Sequence, residues 1–167
     1  MRITYQHRFD ASIDRVISML RQESFARARA SAAGAADADV VIDAADDGSF
    51  TVAIRRAVPA SSIPQEFRGL VGANLVVRYT EAWTAPQANV ASREGTFAVE
   101  VIGAPGHARG SLVLTPDGDG TAFGLAGDLE AKVPLVGAMV EKAVAGAIEK
   151  SLPLELAAAD SWLAEHP

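Results

Sequence analysis

Cysteine is absent from the 167 residues. That single absence removes disulfides, thiol nucleophiles and thiolate metal sites together. Aromatic residues are scarce at 6% although the hydrophobic share reaches 49%. Alanine supplies much of the difference, and such small side chains fill a core thinly and leave room for a cavity. Positive charge is in the minority, 15 Lys and Arg against 21 Asp and Glu for a formal charge of −6, and no basic stripe with interleaved aromatics occurs. A nucleic-acid groove is therefore excluded. Long apolar runs are missing too, so no integral membrane segment is expected. Met1 to Phe9 alternates in polarity and does not resemble a secretory signal, which leaves a cytoplasmic location as the expectation.

Several chemistries lack their residue patterns. His107 and His166 do not extend His7 into a metal-ligand set, and Ser12, Ser24, Ser111 and Ser151 stand outside any nucleophile-elbow pattern. The glycines of Gly118-Asp119-Gly120 and of Gly103 to Gly106 read as turns, not phosphate cradles. No metal and no cofactor is expected. A length of 167 residues suits one domain, 1–167, large enough to bury a core unaided.

What is present is periodicity. Ile3, Tyr5, His7 and Phe9 alternate with polar residues, as in a strand with one buried face. Ser12 can cap a helix carrying Ile13, Val16, Ile17 and Leu20, and a second helical stretch from Glu23 to Ala33 ends at Gly34. Val40 to Ala45 and Phe50 to Ala57 flank Asp46-Asp47-Gly48-Ser49 as a hairpin. Strand-like runs follow at Leu75–Thr84, Val90–Val101, His107–Thr115 and Thr121–Val133, with connections short enough for an antiparallel meander. The last segment opens at Pro134 and carries Val136, Val140, Val144, Ile148, Leu152 and Leu156 along one helical row. Pro153 should bend that helix without stopping it.

This order of elements, with Gly127-Asp128-Leu129-Glu130-Ala131-Lys132-Val133-Pro134-Leu135-Val136-Gly137 leading into the last helix, resembles the START-like superfamily, also called SRPBCC, of polyketide cyclases and lipid-transfer domains. The proline-marked stretch Val58 to Gly72, followed by a strand ending Glu81-Ala82-Trp83, resembles more narrowly an uncharacterised actinobacterial family, domain of unknown function 2505. The resemblance implies an α+β helix-grip fold: a curved antiparallel sheet of about seven strands around a long C-terminal helix, with two short helices after strand 1. It also implies an apolar cavity between sheet and helix, without implying catalysis.

Inward-facing residues of such a sheet are core or cavity lining. Tyr79, Glu81 and Trp83 share a face with Leu75 and Val77, and Arg93 shares one with Phe97. A hairpin centred near Gln87 sets Glu81 across from Arg93, a charge-assisted pair able to anchor the polar end of a ligand. Leu112, Phe123, Leu125, Val140, Val144 and Ile148 complete the expected ligand-binding set. Within Val58 to Gly72, Ser62 and Gln65 form a capping box, and Ile63, Phe67, Leu70 and Val71 form the apolar face of a short helix suited to cover the cavity mouth as a lid.

The leading expectation is the binding, transport or sensing of a small lipophilic molecule in that cavity. One alternative is a cofactor-independent cyclase or dehydratase-like enzyme in which His7 or Tyr5 is the acid/base and Arg93 stabilises negative charge. Another is a protein-interaction module with a collapsed cavity. Ligand identity and oligomeric state are beyond the sequence.

Overall fold

A computed structural model describes residues 1–35, 37–58, 65, 68–71, 75–102 and 106–167. Strand β1 (Arg2–Phe9) leads into helices α1 (Ile13–Leu20) and α2 (Glu23–Ala32). Then come β2 (Ala38–Ala44), β3 (Phe50–Val58), the single turn α3 (Arg68–Val71), β4 (Leu75–Trp83), β5 (Arg93–Ile102), β6 (Gly106–Asp117), β7 (Gly120–Ala131) and α4 (Gly137–Glu165). The seven strands form one antiparallel sheet in the order β1-β7-β6-β5-β4-β3-β2. The two helices after β1 therefore carry the chain from one edge of the sheet to the other, and the meander brings it back. This is the expected helix-grip architecture, and α3 falls within the stretch Val58 to Gly72 where a short helix is expected. Among the described residues no helix is long and apolar enough to cross a membrane.

Local chemistry accounts for the boundaries. Ser12 starts α1 with extended backbone and its side chain accepts from the Arg15 amide at 3.4 Å. Gly34 follows α2 with φ +86°, a conformation that costs glycine little. In the β2–β3 turn, Asp47 accepts from the Ser49 amide at 2.9 Å and from its hydroxyl at 2.6 Å. Helix α4 continues through Pro153, which sits on its exposed side.

The buried row of α4 follows the predicted spacing. Leu152 and Leu156 are buried, and Val144 and Ile148 pack against the core as half-buried residues. Lys142, Glu149 and Lys150 are exposed. Glu141 accepts from the Ala131 amide at 3.1 Å and from the Met1 amino group at 3.3 Å, holding the start of α4 to the sheet. The Ala131 hydrogen bond, with help from the amino group, lowers the pKa of this carboxyl.

Register on the concave face differs from expectation at one place. Glu81 lies across from Phe97, not Arg93, and Arg93 lies across from Leu114 of β6. The β4–β5 connection turns at Asn89, which has φ +63°, and the Thr84 amide donates to the Glu94 carbonyl. A hairpin centre two residues later moves the pairing by four, about 13 Å along the strand. The shift is even, so Arg93 keeps its inward parity while losing Glu81.

Two glycines on that face make room for aromatics. A Cβ on Gly95 would lie 3.0 Å from the Trp83 ring, and one on Gly127 would lie 2.7 Å from Phe97 Cζ and 2.5 Å from the Arg109 carbonyl oxygen. The large rings thus lie over bare backbone and reach sideways along the sheet. Gly127→Ala should destabilise the fold by about 1–3 kcal/mol through overpacking. Urea unfolding measures this, and an unchanged midpoint would mean that both Phe97 and the β6 backbone at Arg109 have freedom to move away.

Candidate functional site

Curvature of the sheet leaves a cavity of about 120 Å³ between its concave face, α1 and α2 on one side and α4 on the other. Most of the wall is apolar. The sheet supplies Ile3, Ile54, Phe97, Val99, Phe123 and Leu125; α1 supplies Val16 and Met19; α2 supplies Phe25; α4 supplies Ile148, Leu152 and Leu156. The expected site residues divide on this wall. Tyr79, Glu81, Trp83, Phe97, Phe123, Leu125 and Ile148 line the cavity. Leu112 is buried in the core without being part of the lining, and Val140 and Val144 lie further up α4.

Arg93 is likewise outside the lining. Its guanidinium donates to the Thr84 carbonyl at 2.7 Å and the Gly48 carbonyl at 3.2 Å, bracing the ends of two hairpins. Burial, with Arg21 nearby, lowers its pKa. The Glu81–Arg93 anchor is therefore corrected: each side chain has other partners.

Glu81 is only 3% exposed, and its partner comes from α2. Arg29 reaches down between the helices, where its Nη1 donates to Glu81 Oε2 at 3.3 Å and its Nε donates to Glu155 Oε2 on α4 at 2.9 Å. The Tyr79 hydroxyl donates to the same Glu81 oxygen at 2.7 Å, and the Arg29 guanidinium stacks 4.6 Å from the Tyr79 ring centroid. Arg56 on β3 adds a longer contact to Glu155 at 3.8 Å and donates to the Ala33 carbonyl at 3.1 Å. Burial works against the Arg29 charge, but Tyr79, Glu81 and Glu155 overcome it and raise its pKa. Burial also pushes the Tyr79 hydroxyl well up, Glu81 adds to the shift, and Arg29 opposes it.

Arg29, Arg56 and Glu155 were not anticipated, although each breaks an apolar period. Arg29 falls on the stripe of Phe25, Ala26 and Ala30; Glu155 falls between Leu152, Leu156 and Ala159; Arg56 continues the inward alternation of Val52 and Ile54. A charged residue inside a buried stripe was the available signal.

Two polar atoms on side chains that line the cavity have no partner and almost no surface of their own. Glu81 Oε1 and Trp83 Nε1 are both buried and unpaired among the described residues, on side chains 3% and 2% exposed. Native proteins satisfy nearly all such groups, so this unpaired acceptor and donor, two residues apart on one strand, call for a partner, which an enclosed water or another polar group would supply.

His7 and Tyr5 lie on the concave face but are not part of the lining. His7 Nε2 meets Asp160 Oδ1 of α4 at 3.1 Å, and its ring packs edge-on against Phe9. Of the expected lid, Ile63 and Phe67 lie outside the described residues, as does Ser62 of the capping box, while Leu70 and Val71 fall in α3.

Comparison with known proteins matches this geometry to a frame without a named activity. The family model described as "Protein of unknown function (DUF2505)" matches residues 4–163. No curated protein matches the chain. Among solved structures, a protein from Thermus thermophilus is 14% identical and superposes with a TM-score of 0.63 over 99% of this chain and 98% of its own. A START superfamily protein from Mycobacterium smegmatis gives 17% identity and a TM-score of 0.55, covering 99% of both chains. A fragment of a STAR-related lipid transfer protein from Xanthomonas axonopodis gives 20% and 0.56, covering 97% of this chain and 85% of that one. At these identities the shared property is the START-like fold.

Two measurements check the buried network. Arg29→Ala should cost about 3–5 kcal/mol, because it strands two carboxylates away from water, whereas Arg78→Ala in the exposed Arg78–Glu100 pair should cost less than about 1 kcal/mol. Equal, small losses in urea titrations would show that water reaches Glu81. Tyr79 sets an alkaline limit. Its hydroxyl ionises near the ordinary value of 10.0 when unfolded and higher when folded, so stability falls as pH rises above that value. The phenolate absorbance lost in Tyr79→Phe should therefore appear in the parent protein only together with unfolding.

Proposed function

Because the chain belongs to the DUF2505 family, whose description names no activity, we propose its function from the cavity: it binds a small, mainly apolar molecule between sheet and helices. The observation that carries this reading is the lining itself, an apolar wall interrupted at one side by the Arg29–Glu81–Glu155 cluster with two unpaired polar atoms. Folding alone gains little by leaving such atoms unpaired. The Xanthomonas axonopodis neighbour, described as a lipid transfer protein, supports the same reading through its shared frame.

Size restricts the occupant. At about 120 Å³ the space is smaller than the roughly 300–1,000 Å³ of drug-sized sites, and it is near the roughly 150 Å³ of an engineered apolar cavity that admits benzene. A single ring fits, and a larger lipophile requires the walls to part. The helices offer the softer route, because the strands are locked by their ladders.

Benzene at about ten times its dissociation constant should raise stability by about 1.4 kcal/mol, a Tm increase of roughly 3–5 °C. Ile148→Trp, which fills the cavity, should abolish the increase. An unchanged Tm across the soluble range of benzene, in the parent protein, would remove the binding function.

A further inference from the structure

Four charged side chains face the cavity among the described residues: Arg29, Arg56, Glu81 and Glu155. They are two of each sign and they contact one another, at 2.9 Å for Arg29–Glu155, 3.3 Å for Arg29–Glu81 and 3.8 Å for Arg56–Glu155. The wall is thus charge-balanced before any ligand enters. A cation or an anion added to it would be buried without a counterion of its own.

The unpaired atoms, which have almost no surface of their own and open to a ligand only as the lining side chains part, define the rest. Glu81 Oε2 already receives Arg29 and Tyr79, while Oε1 has no donor among the described residues. An ionised carboxylate only accepts, so the group that satisfies Oε1 must carry a hydrogen to donate. The indole Nε1 of Trp83 only donates, so its partner must be an acceptor. Glu81 and Trp83 are two residues apart on one face of β4, with Cα atoms about 7 Å apart. Trp83 is held against Phe50 in a stacked arrangement and lies over Gly95, which fixes its indole in place.

We infer that the ligand is an uncharged molecule on a compact apolar skeleton that carries a hydroxyl donating to Glu81 Oε1 and a separate carbonyl or ether oxygen accepting from Trp83 Nε1. The inference rests on the cavity reading above and adds the polarity and charge of the ligand. An apolar hydrocarbon fills the space but leaves both atoms unpaired, and a carboxylate or amine disturbs the charge balance. A hydroxyketone built on a six-membered ring carries both groups on a compact skeleton.

The test uses the full-length protein, ¹⁵N-labelled, titrated with 4-hydroxycyclohexanone, cyclohexanone, benzene, cyclohexanecarboxylate and cyclohexylammonium. The chain has two tryptophans, so Trp83→Phe assigns the Trp83 indole resonance by its disappearance. 4-Hydroxycyclohexanone should bind about tenfold tighter than cyclohexanone, since only it can donate to a charged acceptor, and should move the Trp83 indole proton downfield. Both charged analogues should bind at least tenfold more weakly than it does. Trp83→Phe, which retains an aromatic ring over Gly95, should weaken 4-hydroxycyclohexanone by at least about threefold more than it weakens benzene. Benzene binding with no preference for 4-hydroxycyclohexanone and an unmoved indole proton would overturn the inference and leave the cavity reading standing. Tighter binding of either charged analogue would overturn the uncharged ligand. Failure of every probe to bind would overturn the cavity reading, and this inference with it.

Discussion

Arg29 carries a guanidinium into the space between two helices and a sheet, where an unpaired charge costs several kcal/mol. The surrounding structure is arranged to meet that demand. Glu81 approaches from β4, Glu155 from α4 and the Tyr79 ring from beneath, so a single side chain of α2 is bonded to the elements on either side of it. The network gives little net stability relative to an apolar substitute, because desolvation cancels much of the attraction. Its contribution is positional: α2 and α4 can close on the sheet only in the register that brings these three charges together.

Steric relief acts alongside charge. Gly95 and Gly127 remove side chains where Trp83 and Phe97 lie flat, so two large rings occupy the floor of the cavity without filling its height. Alanine along α2 and α4 has a related effect, with Ala26, Ala30, Ala145 and Ala159 buried where larger residues would occupy the space. Room for a ligand results from small residues placed opposite large ones, while the buried clusters at either side keep the core continuous.

His7 and Tyr5 share the concave face of the sheet but stand outside the cavity lining. His7 Nε2 meets Asp160, and its ring packs in a T-shaped arrangement against Phe9. The polar atoms with unused capacity are instead on β4, in Glu81 and Trp83. Their parity was legible beforehand, since both alternate with outward residues along the strand. Their partners were not. Arg29 is 52 residues from Glu81 and Glu155 is 126 from Arg29, separations across which a one-dimensional pattern carries no distance.

Short-range periodicity by itself determined seven strands, the two early helices, the long closing helix and the inward faces of β1, β4, β5 and the closing helix, because side-chain direction follows from the period of two or 3.6 whatever the element packs against. It also placed Tyr79, Glu81, Trp83, Phe97 and Ile148 toward the cavity. Tertiary structure alone decided who meets whom. The β4–β5 loop turned at Asn89 and moved Arg93 four residues from Glu81, and the packing of α2 brought Arg29 there in its place. Parity survives an even shift of register, whereas a contact does not, and helix-to-sheet docking depends on the summed shape and charge of surfaces that are far apart in the chain.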